Sequence, residues 1–160
     1  PFIRHTGPSL SPFNAWVLVK SLETMHMRVK QMNESAQAVA EFLEKRPEIK
    51  TVRYPGLKSH PGHELAMKQM SNQGGTTIGI EFNGTQKDVF AFMDRLRVID
   101  ISNNLGDSKS LITHPSSTTH RRLSPEVQAE MGITSTVLRL SVGLEAAVDL
   151  IKDLDQALSN

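Results

Sequence analysis

The chain has 160 residues, 38% of them hydrophobic and 22% charged, which is ordinary globular usage and enough for one domain with a real core. A formal net charge of +1 gives no strong field toward nucleic acid or membrane, and no apolar run reaches the ~20 residues of a membrane span. The absence of cysteine excludes disulfides, thiolate metal sites and cysteine nucleophiles within this chain, and fits a reducing, cytoplasmic setting.

The sequence opens "PFIRHTGPSLSPF", with no initiator methionine and no signal peptide. It reads as a loop already leading into a helix, so a piece of a longer protein is expected. Ser11-Pro12 is a helix start, with serine at the cap and proline at the first helical position. Trp16, Val19, Leu22 and Met27 then mark one apolar side. The signal weakens at 33–35 and resumes with Val39, Phe42 and Leu43, ending at Arg46-Pro47. One long bent helix or two consecutive helices are predicted over 12–46, long enough to connect two domains. The expected division is 1–46, the end of one domain and its connecting helix, and 47–160, a second domain.

Helices and strands alternate from there. Strands are predicted at 49–54, 76–82, 98–102 and 137–145, with helices at 62–70, 85–96, 124–132 and 145–158. Four short strands with interleaved helices imply an α/β (α+β) sandwich: a roughly four-stranded, mostly antiparallel sheet with helices on one face. Residues 103–123 have no clear period, which makes them a candidate functional loop.

That loop is dense in neutral donors and acceptors: Asn103, Asn104, Ser110, Thr113, Ser116, Ser117, Thr118 and Thr119, with His114 and His120. A solvated surface loop has the same composition. His60/His63 and His114/His120 lack the spacing and acidic partners of a zinc site, so no metal is expected. His120-Arg121-Arg122 is basic but short, with no aromatic interleaving, so no nucleic-acid partner is expected. No nucleophile elbow or Gly-rich phosphate loop is present, and Lys109, two residues after Asp107, reads as a solvated charge rather than a Schiff-base lysine.

Arg139 is the sharpest anomaly. In "VLRLSVGLE", Leu138, Leu140 and Val142 share one face while Val137, Arg139 and Ser141 share the other. A surface arginine with a weak ion pair explains this as well as a carboxylate clamp does. The physics of the strand alone leaves the two equal.

Five stretches, in order and spacing, resemble the pyridoxal-phosphate (PLP)-dependent Cys/Met metabolism enzymes nearly end to end. They are "HTGPSLSPFNAWVLVKSLETM", "VRYPGLKSHPGHELAMKQM", "GGTTIGIEF", "NLGDSKSLITHPSSTTH" and "LRLSVGLE". The resemblance implies the C-terminal domain of a fold-type I enzyme, with Arg139 binding the substrate α-carboxylate and Asn104, Leu105 and Thr119 lining the substrate side. Many members have serine where Asn104 stands. "ISNN" and the loop after it resemble most the sulfhydrylases that use O-succinylhomoserine; γ-synthases and γ-lyases are the alternative.

The resemblance further implies an amino-acid substrate, a dimer of dimers for the full-length protein, and a cofactor held by an N-terminal domain. No catalytic or cofactor-binding residue is expected within this chain. A stand-alone amino-acid-binding module and a purely structural piece are the readings from other classes.

Overall fold

In the computed structural model, Gly7 and residues 9–159 are described, so most of the loop expected before the first helix lies outside them. α1 (Pro12–Glu23) starts where Ser11-Pro12 predicts, with Ser11 Oγ accepting the Asn14 N–H at 3.1 Å. Thr24 leaves helical geometry and α2 (Met25–Leu43) follows, so the stretch is two consecutive helices. Then come β1 (Ile49–Arg53), α3 (His63–Gln69), β2 (Thr77–Phe82), α4 (Gln86–Arg95) and β3 (Asp100–Ile101). β4 (Leu111–Thr113), a 3-10 turn at Pro115–Ser117, α5 (Pro125–Glu130), β5 (Val137–Ser141) and α6 (Ala147–Leu158) complete the chain.

The strands form one sheet in the order β1-β2-β5-β4-β3, antiparallel at every junction except the parallel β3–β4 pair. This corrects the expected four strands to five. The additional strand is β4, whose three residues are too few to show a period and lie inside a polar stretch. It exists because β5 and β3 offer it ladder partners on both sides.

One face of the sheet carries the core. Ile78, Ile80 and Phe82 of β2, Ile112 of β4, and Leu138 and Leu140 of β5 pack with Val39 and Leu43 of α2, Val89 and Phe92 of α4, and Leu150 and Leu154 of α6. The second half of α2 is therefore part of this core. α1 is not: Trp16, Val19 and Leu22 are more than half exposed, as is Met27 at the start of α2. The apolar side predicted there lies on the surface of this chain.

Three buried polar side chains fix the irregular connections. Asp153 accepts the backbone N–H groups of Arg97, Val98 and Ile99 at 2.9, 2.9 and 3.0 Å, tying the approach to β3 onto α6. Tyr54 is fully buried and donates to the Gly75 carbonyl at 2.9 Å, while Asn33 accepts the Gly75 N–H at 2.7 Å. The turn before β2 is thus held between α2 and Tyr54.

Burial pushes the Tyr54 hydroxyl up to about 12 from its ordinary value near 10. The folded state favours the neutral phenol, so its contribution is full below the ordinary value and is lost as pH rises toward the folded one. Tyr54 is the sole tyrosine, so tyrosinate absorbance reports it directly. Its titration is expected near pH 12, and Tyr54→Phe should cost about 1 kcal/mol in urea unfolding while flattening the alkaline loss of stability. Titration at the ordinary value would contradict this.

Candidate functional site

The face of β5 opposite the core presents Val137, Arg139 and Ser141. Arg139 is paired across the sheet with Gly79 on one side and Thr113 on the other. Gly79 in turn pairs with Arg53, whose guanidinium turns to Glu81 at 2.9 Å. The glycine leaves the space between the two arginines free of a side chain; a Cβ there would stand 3.3 Å from Arg53 Cβ.

Arg139 is half-buried, and its partners come from the loop that follows β3. Nη2 donates to the carbonyls of Asn103 at 2.8 Å and Asn104 at 3.2 Å. Nε is buried and makes no hydrogen bond among the described residues. One nitrogen of Arg139 is therefore committed to main-chain acceptors, while another N–H is without a hydrogen bond among the described residues.

The loop is fastened at four further points. Ser141 Oγ accepts the Gly106 N–H at 2.9 Å, so two alternate residues of β5 grip the loop backbone. Thr113 Oγ1 donates to Asn103 Oδ1 at 2.9 Å and lies 3.1 Å from Thr118 Oγ1. Glu145 accepts the N–H and the hydroxyl of Ser110, each at 2.8 Å. Ser110 Oγ then accepts the Gly143 N–H at 2.9 Å.

The remaining predicted residues fall around this anchor. Asn104 meets Arg139 through its carbonyl, while its side chain and that of Leu105 are exposed. Thr119 is exposed, with Oγ1 2.8 Å from His120 Nδ1. It lines a cavity of about 480 Å³ with Asn103, Ser117, Thr118, Arg121 and Arg122. Asn103 therefore belongs both to the Arg139 anchor and to this cavity. His114 is buried beneath the 3-10 turn, its Nε2 donating to the Ser135 carbonyl at 3.0 Å and its Nδ1 2.7 Å from Ser117 Oγ. His60 and His63 are likewise taken up by turn backbone, at Gly62 N and Pro55 O.

The family model for Cys/Met metabolism PLP-dependent enzymes matches residues 1–159. The chain belongs to this family. It is 52% identical, over 98% of its length, to an O-succinylhomoserine sulfhydrylase of Mycobacterium tuberculosis, and 45% identical over 99% to one of Pseudomonas aeruginosa. An O-acetyl-L-homoserine sulfhydrylase of Leptospira meyeri is 41% identical over 99%. The chain spans 39% of the first two relatives and 36% of the third.

Among solved structures, a Campylobacter jejuni protein holding N'-pyridoxyl-lysine-5'-monophosphate has a TM-score of 0.92 at 41% identity, over 99% of this chain and 38% of that one. A cystathionine gamma synthase from Xanthomonas oryzae, in complex with aminoacrylate and cysteine, has a TM-score of 0.88 at 39% identity, over 97% and 40%. The expected fold type, that of the family's PLP enzymes, is the one observed.

The family's cofactor needs an amine that can lose its proton and a cradle of donors for its phosphate. Lys109, the lysine of the loop, does not fit. Its Nζ donates to Asp100 at 2.9 Å, and that hydrogen bond, with the charge of Asp100 behind it, holds the ammonium above its ordinary value. Among the described residues this face offers the anchored Arg139 guanidinium, the exposed Arg121 and Arg122 and neutral side chains, which suit an anion, and its loop lysine is not an amine poised to lose its proton.

Sequence reasoning singled out Asn103 and Thr113 only as loop donors; their joint hold on the Arg139 anchor depends on β4, which was not visible. Gly143 has a clearer demand. A Cβ there would lie 2.4 Å from the Ser108 carbonyl oxygen and 2.5 Å from the Lys109 carbonyl carbon. Both are backbone atoms, so the turn must move. Gly143→Ala should destabilise by about 1–3 kcal/mol, read as a lower urea midpoint. An unchanged midpoint would show that the 108–110 turn is not held as described.

Proposed function

We propose that this chain is the substrate-side part of a PLP-dependent sulfhydrylase that replaces the succinyl ester of O-succinylhomoserine with sulfide to give homocysteine. Residues up to 46 form the end of the cofactor domain and its connecting helix, and residues 47–160 form the substrate-side domain. The cofactor, the electron sink of the chemistry, is held by residues outside this chain. The full protein is a cytoplasmic homo-oligomer, a dimer of dimers. The higher identity to succinyl-dependent relatives than to the acetyl-dependent one favours succinate as the leaving acyl group.

The observation that carries this reading is the state of Arg139. Its guanidinium is mounted on a central strand, steadied by two carbonyls, and keeps a buried Nε–H without an acceptor. A carboxylate supplies that acceptor and matches the fork. In this role Arg139 binds the α-carboxylate, the Asn104 and Leu105 side chains form the adjacent wall, and Thr119 contributes a hydroxyl. These residues bind and orient; none moves a proton.

In the full-length protein, Arg139→Ala should lower kcat/KM for O-succinylhomoserine by about 2–5 kcal/mol, on the order of 30-fold to several thousand-fold, mostly through KM. Arg139→Lys should recover little, because an ammonium cannot reproduce the fork. Steady-state kinetics with unchanged KM would overturn the assignment.

A further inference from the structure

One basic motif is not used by the reading above. Arg121 and Arg122 are both exposed and form no ion pair with a described carboxylate. They line the 480 Å³ cavity together with Asn103, Ser117, Thr118 and Thr119. No lining side chain is acidic; the Ser117 and Thr118 hydroxyls are directed to His114, so the donors facing the cavity are the guanidiniums and the Asn103 amide. Two full positive charges among neutral hydroxyl and amide groups make a local environment for an anion.

The cavity is also placed next to the other cation. Asn103 lines it, and the Asn103 carbonyl is the nearer of the two acceptors that hold Arg139. The Asn103 side chain is in turn fixed by Thr113. This face therefore carries two cationic positions joined through one residue, which suits a ligand with a carboxylate at each end. An O-succinyl ester has that second carboxylate; an O-acetyl ester does not.

We propose that Arg121 and Arg122 bind the distal carboxylate of a dicarboxylic acyl group and so select a succinyl over an acetyl ester. This rests on the reading of Arg139 as the α-carboxylate site. Arg121 and Arg122 set specificity, while the hydroxyls of Ser117 and Thr118 stay turned to His114 and hold the cavity wall in place.

The test uses the full-length, cofactor-loaded protein with Arg121→Ala, Arg122→Ala and the double variant. The ratio of kcat/KM for O-succinylhomoserine to that for O-acetylhomoserine should fall about tenfold or more in the double variant, mainly through KM for the succinyl ester. Free succinate should inhibit the wild type, with an inhibition constant that rises by the same order in the double variant. The paired Arg→Lys variant should restore part of both effects, since it returns the charge without the fork. A ratio and a succinate inhibition that both stay within about twofold of wild type would overturn this proposal alone. A wild-type protein that turns over neither ester would overturn the reaction reading as well, and this proposal with it.

Discussion

The arrangement of this face depends on the two-residue period of β5. Leu138 and Leu140 are buried in the core, so the register of the strand is set by the hydrophobic demand of one face. The opposite face then receives Val137, Arg139 and Ser141 without further choice. A slip of one residue would drive Arg139 into the core and bring Leu138 and Leu140 out. The cost of burying a guanidinium without acceptors far exceeds any ladder gain, so the slipped register is closed. The position of the arginine thus follows from the leucines that flank it.

The loop after β3 is organised by side chains that hold main chain, more than by side chains that hold each other. Ser141 takes the Gly106 N–H, Glu145 takes the Ser110 N–H, and Arg139 takes the carbonyls of 103 and 104. Gly106 has φ +73°, a left-handed conformation that glycine adopts without penalty, which turns the chain at its attachment to Ser141. Fixing the backbone leaves the exposed side chains of Asn104 and Leu105 uncommitted to the fold. A loop built this way can vary its outward residues while keeping its path.

The regular elements were legible because each announces itself locally. The Ser11-Pro12 start and the alternation in 77–82 and 137–141 appear where the residues place them. What was not legible depends on neighbours remote in sequence. Leu111–Thr113 is a strand only because β5 and β3 lie beside it. The stripe through Trp16, Val19 and Leu22 was correctly apolar, yet periodicity says nothing about what covers a stripe, and none of the described residues buries it. Arg139 was ambiguous for the same reason: alternation gives its side of the sheet but not the loop that folds across it.

The choice of acceptors around Arg139 bears on what it can hold. Had an aspartate or glutamate met the guanidinium, the pair would be neutral and a second carboxylate would meet no net field. Backbone carbonyls orient the fork through their dipoles while leaving its full charge in place. Arg53 on the same face shows the contrast, since it meets the Glu81 carboxylate, which it shares with Lys50. The half-buried charge at Arg139 has no such carboxylate beside it among the described residues, and its Nη2 is oriented by main-chain carbonyls alone, while the exposed Arg121 and Arg122 keep their charges in contact with solvent.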